Sequence, residues 1–139
     1  MIVLDTNVLS AVMRRSADPA VVAWLDRQPS ESLWITTITV FEVRFGLELL
    51  PDGRRRKKLE NAFARALEED FQRRILSFDL QAAEEAAKLA ARRKNAGQPV
   101  EFRDTQIAGI VLARQAALAT GNVRHFRDLS IKVIDPWSE

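Results

Sequence analysis

Short apolar runs alternate with longer stretches of helical period along this chain. Ile2-Val3-Leu4 is too short for a helix and suits a buried strand. Asp5-Thr6-Asn7 then favours a turn and a helix start, and apolar positions resume with helical spacing at Val8, Leu9, Val12 and Met13. Pro19 opens a second helix, whose buried face is Val21, Val22, Trp24 and Leu25. Leu33-Trp34-Ile35-Thr36-Thr37 is β-branched and aromatic and predicts the second strand. Thr39 begins a third helix with Val40, Val43, Leu47 and Leu50 on one side, and Pro51-Asp52-Gly53 breaks it. From Arg54 to Phe71 the apolar residues Leu59, Ala62, Phe63, Ala66 and Leu67 make the stripe of an amphipathic helix. Arg74–Phe78 predicts a third strand, and Asp79 caps an alanine-rich helix reaching about Lys94, with Glu84 and Lys88 ordered for an ion pair. After the breaker Asn95–Pro99, Asp104 begins a helix carrying Ile107, Ile110, Val111 and Leu112. Strands at Ala117–Thr120 and Ile131–Ile134 end the pattern.

Strands alternating with helices imply βαβ crossovers, hence an α/β fold with a mostly parallel central sheet flanked by helices on both faces. No repeat, low-complexity segment or long linker interrupts the 139 residues, so residues 1–139 are expected to form a single domain. The composition, 47% hydrophobic and 29% charged, is that of a globular chain. Without cysteine, disulfides and thiolate metal sites are excluded, and His125 alone does not make the usual zinc site. A metal here is held by oxygen. No basic segment precedes an apolar stretch near Met1, and no apolar run spans a bilayer, so a cytoplasmic protein with no membrane association is expected. The net charge of +2 is compatible with a polyanionic partner without requiring one. The basic runs Arg54–Lys58 and Arg92–Lys94 read as solvated helix faces.

Three acids stand at predicted helix entrances: Asp5 after the first strand, Glu42 near the start of the third helix, and Asp104 at the start of the last. Each has a second reading as a cap. Asp5 and Asp104 suit N-caps, and Thr39-Val40-Phe41-Glu42 matches a capping box. Ligands in open parallel sheets bind beyond the carboxyl ends of the strands, which is where Asp5 falls. Carboxylates brought together there repel unless one keeps its proton or a hard divalent cation joins them.

The opening Ile2–Ser10, with its Leu4-Asp5-Thr6-Asn7, resembles the start of the PIN-domain nucleases, particularly the VapC and FitB-like toxins of toxin–antitoxin pairs. Ile35–Gly46, with Glu42, is similar to the family's second motif, and Phe102–Ala108, with Asp104, to its third. Ala119–Phe126 resembles the fourth, and Val133–Trp137 the usual ending, so the likeness runs over the whole chain. In the fourth motif Asn122 stands where many relatives carry another acid. Asparagine ligates through its carbonyl but brings no charge, which weakens a second metal position.

The resemblance implies a PIN-like domain that hydrolyses RNA with Mg2+ or Mn2+, using Asp5, Glu42 and Asp104 as metal ligands and catalytic acids. Thr6, Arg44, Arg103, Asn122 and Arg124 are the expected substrate contacts. It also implies a cognate VapB-like antitoxin and a homodimer; the apolar helices around Val8–Met13 and Leu59–Leu67 either line a groove for the antitoxin or pack on the sheet. His125 beside Phe126 reads as structural, Asp128 as surface charge, and Trp24, Trp34 and Trp137 as core. The rival from another class is a catalytically degenerate PIN-like module that binds RNA or protein without cutting. Retention of all three acids argues against it.

Overall fold

The computed structural model describes residues 1–139. Five parallel strands, β1 (Ile2–Leu4), β2 (Leu33–Thr36), β3 (Ile75–Leu76), β4 (Ala117–Ala119) and β5 (Val133–Ile134), stand in the order β3-β2-β1-β4-β5. The chain moves outward on one side of β1 through β2 and β3, then returns to build β4 and β5 on the other. The order therefore reverses between β1 and β4, which opens a crevice beyond their carboxyl ends. There Leu4 is in register with Ala119.

Six α-helices cover the sheet: α1 (Thr6–Met13), α2 (Pro19–Asp26), α3 (Thr37–Glu48), α4 (Arg54–Arg65), α5 (Leu80–Asn95) and α6 (Phe102–Arg114). Side chains alternate across a strand, and the core divides accordingly. Val3, Leu76 and Leu118 join Leu89 of α5 and Ile107, Ile110 and Val111 of α6 on one face. Leu4, Ile35, Ala119 and Ile134 join Val8, Val21, Trp24, Leu47 and Phe63 on the other. Helices α5 and α6 cross at Gly109, where an added Cβ would lie 2.5 Å from the Ala82 carbonyl oxygen and 2.7 Å from the Ala86 Cβ.

Several local expectations shift. The third strand shortens to Ile75–Leu76: Gln72 and Arg73 enter it at φ 46° and 60°, and the Arg74 guanidinium donates to the carbonyls of Ser30, Leu33 and Asp70. The last strand shortens to Val133–Ile134. Helix α4 gives way at Ala66–Asp70 to a π turn. Lys88 approaches Glu85 at 3.8 Å rather than Glu84. The basic runs are not wholly solvated, because Arg56 pairs with Glu48, Asp52 and Glu60 and Arg93 is buried. The apolar stripes at Val8–Met13 and Leu59–Leu67 pack against the core, with Val12, Met13, Leu59 and Leu67 only partly buried. A more exposed apolar face belongs to α3, where Phe41 and Phe45 stack at 6.1 Å with Leu49 beyond them.

Two changes at helix starts bear on function. Helix α3 begins at Thr37, because the Thr36 hydroxyl, at the end of β2, accepts from the Thr39 amide at 3.1 Å. Thr39 is thus inside the helix and Glu42 belongs to its second turn, so the capping box does not form. In α6 the cap is Glu101, which accepts from the amides of Arg103 (3.3 Å) and Asp104 (2.8 Å). Asp104 caps nothing. Both acids are released from the structural role that their local sequence offered.

Candidate active site

Asp5 follows β1 directly and keeps its role at the head of α1, where Oδ1 accepts from the Thr6 amide at 2.8 Å. Its other oxygen accepts from the Thr120 hydroxyl at 2.8 Å. Thr120 follows β4 as Asp5 follows β1, and the pairing of Leu4 with Ala119 sets the two side by side. Thr120 also accepts, from the Asn122 amide (3.0 Å) and the Asn7 side-chain amide (3.4 Å), while Asn7 Oδ1 accepts from the Gly121 amide (3.1 Å). This small network lines the crevice between β1 and β4. Asp5 is only 3% exposed, and its carboxyl is pushed up to about 6. Burial is the main cause, and the nearby charges of Asp104 and Glu42 add to it, while the bonds from Thr120 and Thr6 oppose it.

Glu42 reaches the same region from α3. Its Oε1 accepts from the Thr6 hydroxyl at 2.7 Å. Since Thr6 gives its proton to Glu42, the Thr39 hydroxyl at 2.9 Å donates to Thr6, and Thr36 donates to Thr39 at 3.4 Å. A line of three hydroxyls therefore runs from the end of β2 to the glutamate. The other oxygen of Glu42 pairs with Arg103 Nη1 at 3.3 Å, which ties α3 to α6. Asp104, in the first turn of α6, lies 3.1 Å through Oδ2 from His125 Nδ1. His125, expected to be structural, thus stands at the site. It is carried with Arg124 on a 3₁₀ turn, Val123–Phe126, beside an open pocket of about 340 Å³ that Asp104 also lines.

Of the expected contacts, Thr6, Arg103 and Arg124 stand among or beside the acids. Asn122 is placed at the rim by its backbone, and its side chain is exposed without a hydrogen bond. Arg44 is not brought to the acids; its guanidinium lies 5.1 Å over the Phe63 ring. Trp24 is core as expected, and Trp34 and Trp137 pack against the core clusters partly buried, Trp137 also donating to Asp18 at 2.9 Å. Thr120, Asn7 and Thr39 escaped the sequence reading. A position one residue past a predicted strand was the available signal for Thr120, but it needs the strand order to become informative.

A metal can be tested against this donor set. As the side chains stand, no three acidic or imidazole groups close up into a cage for an ion. Each carboxylate is turned to a separate partner: Thr120, Thr6 with Arg103, and His125. The chemistry nonetheless fits a hard divalent cation, because three oxygen donors approach closely enough that two of them raise the proton affinity of the third. Cation binding would relieve that repulsion.

The model of the PIN domain family matches residues 2–132. The chain belongs to the PIN domain family. Plasmid stability protein StbB of Pseudomonas syringae pv. tomato is 40% identical over 137 residues, 99% of each chain. VapC ribonuclease Y4jK of Sinorhizobium fredii is 38% identical, over 99% of this chain and 98% of that one. Toxin FitB of Neisseria gonorrhoeae is 32% identical over the whole of both. A solved structure of FitAB bound to a DNA fragment matches with a TM-score of 0.90 and 33% identity, covering 99% of this chain and 96% of that one. This PIN domain therefore shares its fold and nearly all of its length with its relatives. No helix is long and apolar enough to cross a membrane.

Proposed function

We propose that this PIN domain is the ribonuclease toxin of a toxin–antitoxin pair, hydrolysing RNA phosphodiester bonds with a divalent metal. The observation that carries the reading is the approach of Asp5, Glu42 and Asp104, from three distant segments, at the carboxyl edge of the sheet where its order reverses. PIN-domain nucleases of the VapC kind are divalent-metal dependent. Magnesium or manganese is the ion that an all-oxygen donor set favours. When bound, it lowers the pKa of a coordinated water and offsets charge developing on the phosphate.

The protein's own groups would divide the remaining work. Asp5, Glu42 and Asp104 supply the ligand oxygens. Thr6 and Thr120 hold two of those carboxylates in orientation through hydroxyl hydrogen bonds, as supporting groups do around metal sites. Arg103 and Arg124 present guanidinium groups that suit RNA phosphates, which would make binding salt-sensitive. Asn122 offers a neutral carbonyl where an acid would strengthen a second metal position. One firmly held ion is the expectation, and calorimetric titration without RNA checks it: two tight sites would overturn it.

The relative Toxin FitB and the matching FitAB structure support a protein partner, proposed to be a small antitoxin that neutralises the toxin. The exposed stack of Phe41 and Phe45, one residue before Glu42 and three after it, supports protein contact close to the site, by antitoxin or by a second copy in a homodimer. Cleavage of RNA in the presence of magnesium or manganese, compared among wild type, Asp5→Asn, Glu42→Gln and Asp104→Asn, tests the assignment. Loss in all three variants supports it. Equal activity in all four proteins removes the acids from the mechanism. No cleavage and no metal binding by wild type would instead favour a module that binds without cutting.

A further inference from the structure

The 3₁₀ turn Val123–Phe126 carries two groups of the site, yet little in its own sequence holds it. Asn122 at its start makes no side-chain cap, Arg124 and His125 are exposed, and Phe126 is its one buried residue. The missing anchor comes from α5. Arg93 sits in the last turn of that helix with its side chain only 7% exposed. Its Nε donates to Asp128 Oδ2 at 2.9 Å and its Nη2 to Asp128 Oδ1 at 2.9 Å, a bidentate pair. The same Nη2 donates to the His125 carbonyl at 2.7 Å. Asp128 is ionised in this arrangement, since the Arg93 fork holds its carboxyl below the usual range.

We propose that Arg93 is a positioning residue of the active site: clamped on Asp128, its guanidinium fixes the His125 backbone and so sets Arg124 and His125 against Asp104. The assignment rests on the ribonuclease reading for its kinetic consequence but not for its geometry. Arg124, which lines the pocket beside Asp104, has no acidic partner within ion-pair distance, so a correctly placed turn offers a free cation to an RNA backbone. Arg93 is different in kind. Its charge is spent on Asp128, and what it contributes is the shape of the wall. A lysine at this position would keep the charge but could not span both carboxylate oxygens and the carbonyl with a planar fork.

The test compares Arg93→Lys and the paired replacement Arg93→Met with Asp128→Leu, the second because replacing both partners leaves no buried charge unpaired. Magnesium-dependent cleavage of a pool of fluorescent single-stranded RNA oligonucleotides is measured in the wild-type background and in an Arg124→Ala, His125→Ala background. Displacing the wall should lower kcat/KM about tenfold, chiefly through KM, in the first background and less than about twofold in the second. Equal losses in both backgrounds, or none in the first, would overturn the assignment. His125 is the sole histidine, so its ring and backbone NMR signals report the turn without ambiguity. They should shift in both variants while the core signals stay. Unchanged His125 signals overturn the positioning role even if wild type proves to cut no RNA, and that second outcome by itself counts only against the ribonuclease reading.

Discussion

Replacing Asp5 by asparagine should stabilise the protein at neutral pH while destroying the activity proposed for it. The carboxyl is raised from 3.8 to about 6, so at pH 7.5 the folded protein carries an ionised group that burial disfavours. A shift of about 2 units corresponds to about 3 kcal/mol of stability forgone. The sign follows from linkage. The folded state holds this proton more tightly than the unfolded chain, so stability is full below about pH 4 and falls as pH rises through about 6. Asparagine removes the charge but keeps an oxygen for the Thr6 amide. Its amide nitrogen would face Thr120, whose hydroxyl already accepts from Asn122 and Asn7. That crowded position costs about 1 kcal/mol, the worth of one hydrogen bond. The net gain at pH 7.5 is therefore about 2 kcal/mol, or roughly 1 M in urea midpoint for a domain of this size. At pH 4.5 only about 1 kcal/mol of the charge penalty remains, and the two proteins should unfold together. Urea unfolding of wild type and variant at both pH values measures this directly. A variant that is less stable by the same amount at each pH would refute the reasoning, because the burial of Asp5 would then carry no electrostatic cost.

Thr120→Val deletes the donor that lowers the Asp5 pKa, so the carboxyl should titrate above about 6; a ¹³C titration of the Asp5 carboxyl reads the upward shift, and the acidic limb of the cleavage profile should follow it. Gly109→Ala places a methyl 2.5 Å from the Ala82 carbonyl and must separate α5 from α6, at a cost of about 1–3 kcal/mol visible as a lower melting temperature. Asp18→Ala removes both the cap of α2 and the acceptor for the Trp137 indole; about 1–2 kcal/mol should be lost, with a change in tryptophan fluorescence.

The sequence carried the layer architecture because its periods are clean: short apolar runs for strands, and i, i+3, i+4 stripes for helices. Asp5 and Asp79 were legible as caps because each directly precedes a helical pattern and keeps that bond in the fold. Glu42 and Asp104 each have a local reading as a cap that the fold does not take up. Thr36, Thr37 and Thr39 all suit a helix start, and it is the end of β2 that selects Thr36, a tertiary condition that a local box does not encode. Glu101, three residues before Asp104, is not a residue type that N-caps favour, yet the structure uses it. Arg93 was hidden for a different reason. Its run Arg92-Arg93-Lys94 looks like any solvated helix end, and its partner lies 35 residues away. Thr120 needed the strand order. Periodicity shows where a strand ends but not which other strand ends beside it.

The separate tethers on the three acids show how the fold holds these carboxylates near one another. Burying Asp5 near two other carboxylates is unfavourable, and the fold answers with donors from different elements: a hydroxyl after β4 for Asp5, a hydroxyl of α1 and a guanidinium of α6 for Glu42, and an imidazole for Asp104. None of these donors neutralises Asp5 itself, which is why its proton affinity stays high. Below about pH 6 a proton supplies the neutralisation, and above it a cation can. Under the proposed function proton and metal would compete for one carboxylate, so metal affinity should rise with pH as Asp5 ionises. The same competition accounts for why burial serves the site. An exposed Asp5 would be ionised and hydrated at every working pH, with water already satisfying it. Held dry and against its neighbours, it has a raised proton affinity, and under the proposed function a divalent ion would take the place of that proton.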